Sequence, residues 1–151
     1  MTMPTLFAFL DAIEQVESGG KADAIHRGDQ KGGGDSIGPM QIGEPYWLDS
    51  GLAVGGEWSN CAASFAPLEF QYIENDRARY YSRLVVIGYL MRYAPAGKPL
   101  RWAAEIDYWE PFARIHNGGP NAWNPVHRQH AATTGYWAKV RAKLAAKGDG
   151  R

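Results

Sequence analysis

Apolar and polar positions alternate along this chain with periods that lay out most of its elements. Leu6, Leu10, Ile13 and Glu17 are spaced four, three and four apart, so they share one helical face. Phe9 and Val16 widen that face into an apolar stripe, and Gly19 and Gly20 stop the helix directly after it. Residues 28–35 carry two acids among four glycines and predict a hairpin or exposed loop. The loop leads into Ser36-Ile37-Gly38-Pro39-Met40-Gln41-Ile42. Gly43-Glu44-Pro45 breaks that strand-like run, and Pro45 suits the first turn of a short helix carrying Tyr46, Trp47 and Leu48. Residues 70–93 predict one long helix or two joined ones. Leu84, Ile87, Leu90 and Met91 recur there at helical spacing, thickened by Val85 and Val86, which marks the central core helix. Residues 95–99 are a break, and 101–109 are helical in composition. Pro111 begins a helix with Phe112 and Ile115 that stops at His116-Asn117-Gly118-Gly119-Pro120. Residues 121–130 form a polar loop. Residues 133–147 close the chain as a helix, with Tyr136, Trp137, Val140 and Leu144 on its apolar side.

Totals narrow the classes. At 151 residues and 45% hydrophobic, the chain is expected to fold as one globular domain, 1–151, without repeats or a linker. A formal net charge of +0 argues against a nucleic-acid binder, which needs a basic excess. Cys61 is alone, so intramolecular disulfides are impossible and packing must hold the fold. Nothing beside Cys61 would lower its pKa, and it reads as a buried thiol rather than a nucleophile. No run of about 18 apolar residues exists, so no membrane insertion is expected. No secretory signal is read: the first residues are too few for a charged leader, and Asp11 and Glu14 interrupt 6–16.

The candidate chemistry lies at the end of the first helix. Glu17 would face the negative end of the helix dipole, and partial burial would also disfavour its charge. Both raise a carboxyl pKa, as a general acid near neutral pH requires. Asp29 and Asp35, in the glycine-rich loop, would stay solvated and ionised. Two carboxylates in environments that push their pKa values apart are the signature of glycoside hydrolysis, although Asp beside Gly is also ordinary turn chemistry. Gln41 and Tyr46 could bond a sugar, while Tyr46 and Trp47 could equally fill a core. His127 and His130 stand three apart but are joined by no nearby acid or Cys, so no metal site is read. Glu74, Asp76, Arg77, Arg79 and Arg83 read as a solvated face.

Five ordered stretches resemble one family. They are Val16-Glu17-Ser18-Gly19-Gly20, then 36–42, then Glu44-Pro45-Tyr46-Trp47-Leu48-Asp49-Ser50-Gly51. Ala113-Arg114-Ile115-His116-Asn117-Gly118-Gly119-Pro120 and Thr134-Gly135-Tyr136-Trp137 follow. Together they look like the invertebrate-type (destabilase) lysozymes. The resemblance implies an α+β, lysozyme-like fold, mainly helical with a small β-hairpin lobe beside the cleft. It implies a muramidase that cleaves the β-1,4 MurNAc–GlcNAc bond of peptidoglycan, with retention, using Glu17 as general acid. The family's aspartate follows its glutamate by about a dozen residues, which favours Asp29. The glycine-rich turn is longer here, and Asp35 beside Ser36 is the alternate. Substrate contacts are expected from Ser36, Gln41, Tyr46, His116, Asn117 and Gly118. No metal or organic cofactor is implied.

Residues 65–83 look inserted relative to the family. Its animal members are disulfide-dense, whereas Ser50 and Trp123 stand here where they usually carry cysteine. That departure suggests a cysteine-poor bacterial or phage member, acting on the cell wall in an extracellular or periplasmic setting, exported by another route or by a signal not contained in this sequence. Expected partners are peptidoglycan glycan strands and proteinaceous lysozyme inhibitors, with no nucleic acid. Three rivals stand beside this reading: a lytic transglycosylase using Glu17 alone, an isopeptidase using Ser36 or Ser50 with His116, and a non-catalytic peptidoglycan-binding module.

Overall fold

The helix predicted from the first apolar stripe is α1, Leu6–Ser18, in a computed structural model that describes residues 5–28, 34–103 and 108–149. Thr5 starts it, its hydroxyl accepting from the Ala8 amide at 3.1 Å. Phe9, Leu10, Ala12 and Ile13 are buried on its inner face, as is Glu14 at 5% exposure. Gly19 and Gly20 take φ of +65° and +86°, a left-handed stop that an L-residue adopts only with strain.

The described residues pack as two compact units. One is built from Met1–Val16 and Tyr93–Arg151, the other from Glu17–Arg92. In the second, β1 (Ile25–His26), β2 (Ser36–Ile37) and β3 (Ile42–Gly43) form an antiparallel sheet in that order. Ile25 pairs with Ile37 and Ile37 with Ile42, while Ser36 lies between His26 and Gly43. The hairpin read from residues 28–35 is therefore present at both its feet. Asp29 lies outside the described residues. Helix α2, Glu44–Asp49, opens with Pro45 in its first turn, where the missing N–H costs nothing.

Short 3₁₀ turns at Trp58–Cys61, Ala63–Phe65 and Leu68–Phe70 lead into α3, Gln71–Tyr93. It is one long helix, but its buried face differs from the expected one. Ala78, Ser82, Val85, Val86, Tyr89 and Leu90 are buried, whereas Leu84 and Met91 are 36% and 65% exposed. Small residues at 78 and 82 set the close-packed side, and Ser82 donates to the carbonyls of Ala78 and Cys61, the latter at 3.0 Å. Ile37, Met40, Ile42 and Cys61 complete this unit's core with no exposed surface. Each large apolar side chain so buried contributes about 1.5–3 kcal/mol.

In the first unit a 3₁₀ turn, Leu100–Trp102, precedes α4 (Trp109–Gly118), α5 (Arg128–Ala132) and α6 (Thr134–Asp149). Part of the helix expected over 101–109 falls outside the described residues. Phe9 stacks on Trp109, ring centroids 4.5 Å apart and planes 17° off parallel. Phe112, Ala113, Ile115 and Val140 are buried with them. The polar loop expected over 121–130 instead runs into α5. His127 caps that helix, its Nδ1 accepting from the Gln129 amide at 3.2 Å. His130 Nδ1 meets the Ala122 carbonyl at 3.1 Å. Arg114 ties three helices together. It donates to Glu110 Oε1 from Nε and Nη2 at 3.0 and 2.8 Å, and from Nη1 to the His130 carbonyl, to Thr133 Oγ1 and, at 3.3 Å, to Thr134 Oγ1 on α6.

Candidate active site

Glu17 occupies the last turn of α1 and is half-buried. The next residue fixes the helix end in place. Ser18 Oγ donates to the Pro39 carbonyl at 2.8 Å and accepts from the amides of Gly20 and Lys21 at 3.2 and 3.1 Å. One hydroxyl thus gives a partner to two amides just past the helix end and bolts that end to the 38–41 turn. Behind the glycines, Arg79 Nη2 donates to the Gly20 carbonyl at 3.1 Å. The charged face of α3 is therefore more than a solvated surface: Arg79 buttresses the stretch that follows Glu17.

The 38–41 turn is built by close approach. Gly38 has φ +78°, and a Cβ there would lie 1.6 Å from the Cys61 carbonyl oxygen. Its amide donates to the Ala24 carbonyl at 2.7 Å. Gln41 has φ +52°, alone among the described non-glycine residues in the left-handed region. Such a conformation costs about 1–3 kcal/mol unless surrounding bonds over-determine it. Here they do. Gln41 Nε2 donates to the carbonyls of Gly38 at 2.9 Å and Ala24 at 3.4 Å, and Oε1 faces His26 Nδ1. Because Nε2 points at two carbonyls, Oε1 must accept, so His26 carries its proton on Nδ1. The Gln41 amide is thus turned inward as a bracket across the turn, and Ser36 has no accessible surface. In this geometry both residues brace the sheet and offer no polar atom outward to substrate.

Tyr46, on α2, stacks on Tyr89 with centroids 3.6 Å apart and planes 12° off parallel. Its phenol is pushed well above its usual pKa, first by burial, then by Tyr89 and by the charge of Glu17. It stays protonated at any working pH, a donor within electrostatic reach of the Glu17 carboxyl. Trp47 is core, its Nε1 donating to the Tyr81 hydroxyl at 2.8 Å.

Asp35 sits at the foot of the glycine-rich loop. Its Oδ1 accepts from the Gly28 amide at 2.9 Å and its Oδ2 from Arg27 Nη1 at 2.7 Å. The Gly28 bond first, then Arg27, hold its carboxyl below the usual carboxylate value. It is ionised, as expected, but both oxygens are engaged in closing the loop.

In the other unit, His116 is buried, its ring 6.1 Å from that of Tyr136, and Asn117 is exposed. A Cβ on Gly118 would fall 2.4 Å from Thr133 Cγ2, so glycine is needed there for packing. Gly119 turns the chain at φ +95°, its amide donating to the Ile115 carbonyl at 2.9 Å. Ser50 Oγ, buried, donates to the Trp47 carbonyl at 2.6 Å and accepts from the Leu52 amide. With Ser36 and Ser50 both buried, the serine-nucleophile reading loses its reactive groups. Cys61 is buried, which pushes its thiol up to about 12 and leaves it inert. Among the described residues, no three His, Cys, Asp or Glu side chains gather to hold a metal ion.

Ser18, Arg79 and Arg114 carry structural weight that sequence reasoning did not assign them. For Ser18 the signal was present, a short hydroxyl between a helix and a glycine pair. For Arg79, and for the bonds of Arg114 to His130 and Thr133, the partners lie too far along the chain to be read.

No protein-family model matches the chain. It is 37% identical over 107 residues to a lysozyme of Meretrix lusoria, covering 70% of this chain and 66% of the relative. It is 33% identical over 134 residues to lysozyme 1 of Crassostrea virginica, covering 89% and 57%. The chain thus spans just under two thirds and somewhat over half the length of these two relatives. Against an invertebrate-type lysozyme of Ruditapes philippinarum it is 33% identical over 135 residues, covering 89% of this chain and 78% of that one. Among solved structures, the inhibitor-bound lysozyme from Meretrix lusoria superposes with a TM-score of 0.59 at 29% identity, covering 89% of this chain and 87% of that one. These relatives are bivalve proteins and lend no support to a bacterial or phage origin. The lysozyme-like α+β fold is borne out, and the chain belongs to the invertebrate-type lysozyme family.

Proposed function

We propose that the chain is a single-domain muramidase that hydrolyses the β-1,4 MurNAc–GlcNAc bond of peptidoglycan. The observation that carries this reading is the setting of Glu17. It is a half-buried carboxyl at a helix end, anchored through Ser18 to the 38–41 turn and close enough to the Tyr46 phenol to help raise that phenol's pKa. Glu17 protonates the leaving glycosidic oxygen as positive charge develops at the anomeric carbon. Asp29 is the partner carboxylate. The bonds of Asp35 to Gly28 and Arg27 support that choice, because they engage Asp35 in shaping the loop that carries Asp29. Asp29 attacks the anomeric carbon or stabilises the oxocarbenium-like state. Glu17, now a base, activates the water that completes turnover. Retention requires the two carboxyls to stand about 5 Å apart. Tyr46, His116, Asn117 and Gly118 serve glycan binding, while Ser36 and Gln41 brace the sheet of their own unit.

The protein acts on wall material outside the cell membrane, and no described helix is long and apolar enough to cross one. The Meretrix lusoria lysozyme structure is inhibitor-bound; for this chain, proteinaceous lysozyme inhibitors are proposed as partners.

Product analysis tests the reading. Digestion of purified sacculi in ¹⁸O-water should yield muropeptides with a reducing muramic acid that carries the label. Unlabelled anhydro-muramic ends would instead identify a transglycosylase. Binding without release of any product would identify a non-catalytic module.

A further inference from the structure

A cleft lies in the unit Glu17–Arg92. It is lined by Asn60, Glu74, Arg77, Tyr80 and Tyr81 and encloses about 180 Å³. That is below the roughly 300 Å³ at which drug-sized ligand pockets begin, and it suits one ring with its substituents. Tyr80 presents its side chain at 69% exposure, a costly display of aromatic surface. Beside it, Arg77 Nη1 donates to Glu74 Oε1 at 2.7 Å while the Arg77 side chain is 71% exposed. Its planar fork has more donors than the one spent on Glu74. Asn60 adds an amide that both donates and accepts.

The floor is preformed. Tyr81 OH accepts from Trp47 Nε1 at 2.8 Å and donates to the Leu52 carbonyl at 3.3 Å. Gly56 packs so near that a Cβ there would meet the Tyr81 hydroxyl at 2.5 Å. The walls stand on α3 and on the 3₁₀ turn that holds Asn60, so the polar groups keep their spacing without a ligand.

An exposed aromatic face next to planar amide, carboxylate and guanidinium groups matches a sugar ring. The ring's C–H face covers the tyrosine, and its hydroxyls and N-acetyl group take the in-plane donors and acceptors. We infer that this cleft is a saccharide-binding site for the glycan strand, separate from Glu17 and serving to hold the protein on its polymer. The inference rests on the reading of the chain as a glycan-acting protein. On an insoluble strand a second contact turns rebinding into a local event, and avidity can exceed a lone site's affinity by about 10²–10⁴.

The test uses the full chain carrying Glu17→Gln, so binding is read without turnover. Titration with N-acetylglucosamine tetramer should shift the backbone amide signals of Asn60, Glu74, Arg77, Tyr80 and Tyr81. Tyr80→Ala should erase those shifts and weaken partition onto insoluble sacculi about tenfold or more, while Tyr80→Phe retains both. In the otherwise wild-type chain, Tyr80→Ala should leave hydrolysis of a soluble GlcNAc–MurNAc oligomer within twofold. Amides around the cleft that stay still at saturation, or sacculus binding unchanged by Tyr80→Ala, would overturn the site. Because these readouts need no catalysis, an inactive wild type that still loses sacculus binding on Tyr80→Ala keeps the site and removes only the hydrolase reading.

Discussion

The Ser18 hydroxyl donates to the Pro39 carbonyl at 2.8 Å, joining the residue after Glu17 to a turn 21 positions away. The bond crosses from a helix terminus to a loop whose backbone is already confined by Gly38 and Gln41. It therefore sets where the Glu17 carboxyl stands relative to the sheet, and it makes Ser18 a positioning residue.

Ser18→Ala should cost about 1–2 kcal/mol for the lost bond and the two amides it served. For a chain of this size that lowers Tm by roughly 2–8 °C. Wall lysis should slow about tenfold through kcat, with KM little changed, because the general acid is displaced and the glycan contacts are not. Ser18→Thr, which keeps the hydroxyl, should restore most of the rate. An alanine variant with unaltered kcat would remove the positioning role.

Gly38→Ala should be far worse than its one added methyl suggests. The new Cβ would overlap the Cys61 carbonyl oxygen at 1.6 Å, in a backbone region with φ +78°. Relief requires moving backbone, so a loss above about 3 kcal/mol is expected, seen as insoluble expression or a collapsed melt. Gly135→Ala is the contrast. It lies in α6 with nothing within 4 Å, and it should stabilise by about 0.5 kcal/mol. Equal effects at the two sites would contradict the packing described.

Asp35 yields a pH prediction. Its folded pKa lies below the ordinary 3.8 because the Gly28 amide and Arg27 favour the charged form. The stability it contributes is therefore fully present above the unfolded value and is lost as pH falls through the folded one. The Gly28 amide resonance should titrate with a midpoint below 3.8, and Asp35→Asn should abolish that titration. A midpoint above the ordinary value would mean the loop foot is open. In activity, Asp35→Asn should cost at most about tenfold, whereas Asp29→Asn should cost several orders of magnitude.

Cys61 should behave as a core residue. With no exposed surface and a thiol near 12, it should resist iodoacetamide at about pH 8 in the native protein and react fully in urea. Alkylation of the native state would place it at a surface.

Several of these features were legible in the chain and several were not, for physical reasons. The stripe Leu6, Leu10, Ile13 and the glycine pair define α1 because period and stop signal agree. The hairpin and the proline-started α2 follow from turn chemistry that acts over a few residues. Helix α3 was legible in length but not in orientation. Leu84-Val85-Val86-Ile87 wraps apolar groups around the whole circumference, so periodicity cannot choose a side. The choice falls to Ala78 and Ser82, whose smallness matters only once a neighbour approaches. Glu17 stood out by its place on the stripe. The inward turn of the Gln41 amide did not, because its left-handed backbone and its His26 partner are properties of the folded turn. The role of Arg79 depends on Gly20, 59 residues away, and no local pattern encodes that.

The central claim is that Glu17 supplies the proton that breaks the glycan. Clearing of a peptidoglycan suspension by wild type and by Glu17→Gln, compared at matched thermal stability, tests it most directly. The account predicts that the variant folds, still binds sacculi and loses about a thousandfold or more of the lytic rate. A Glu17→Gln protein that clears the suspension at a rate near wild type would contradict it.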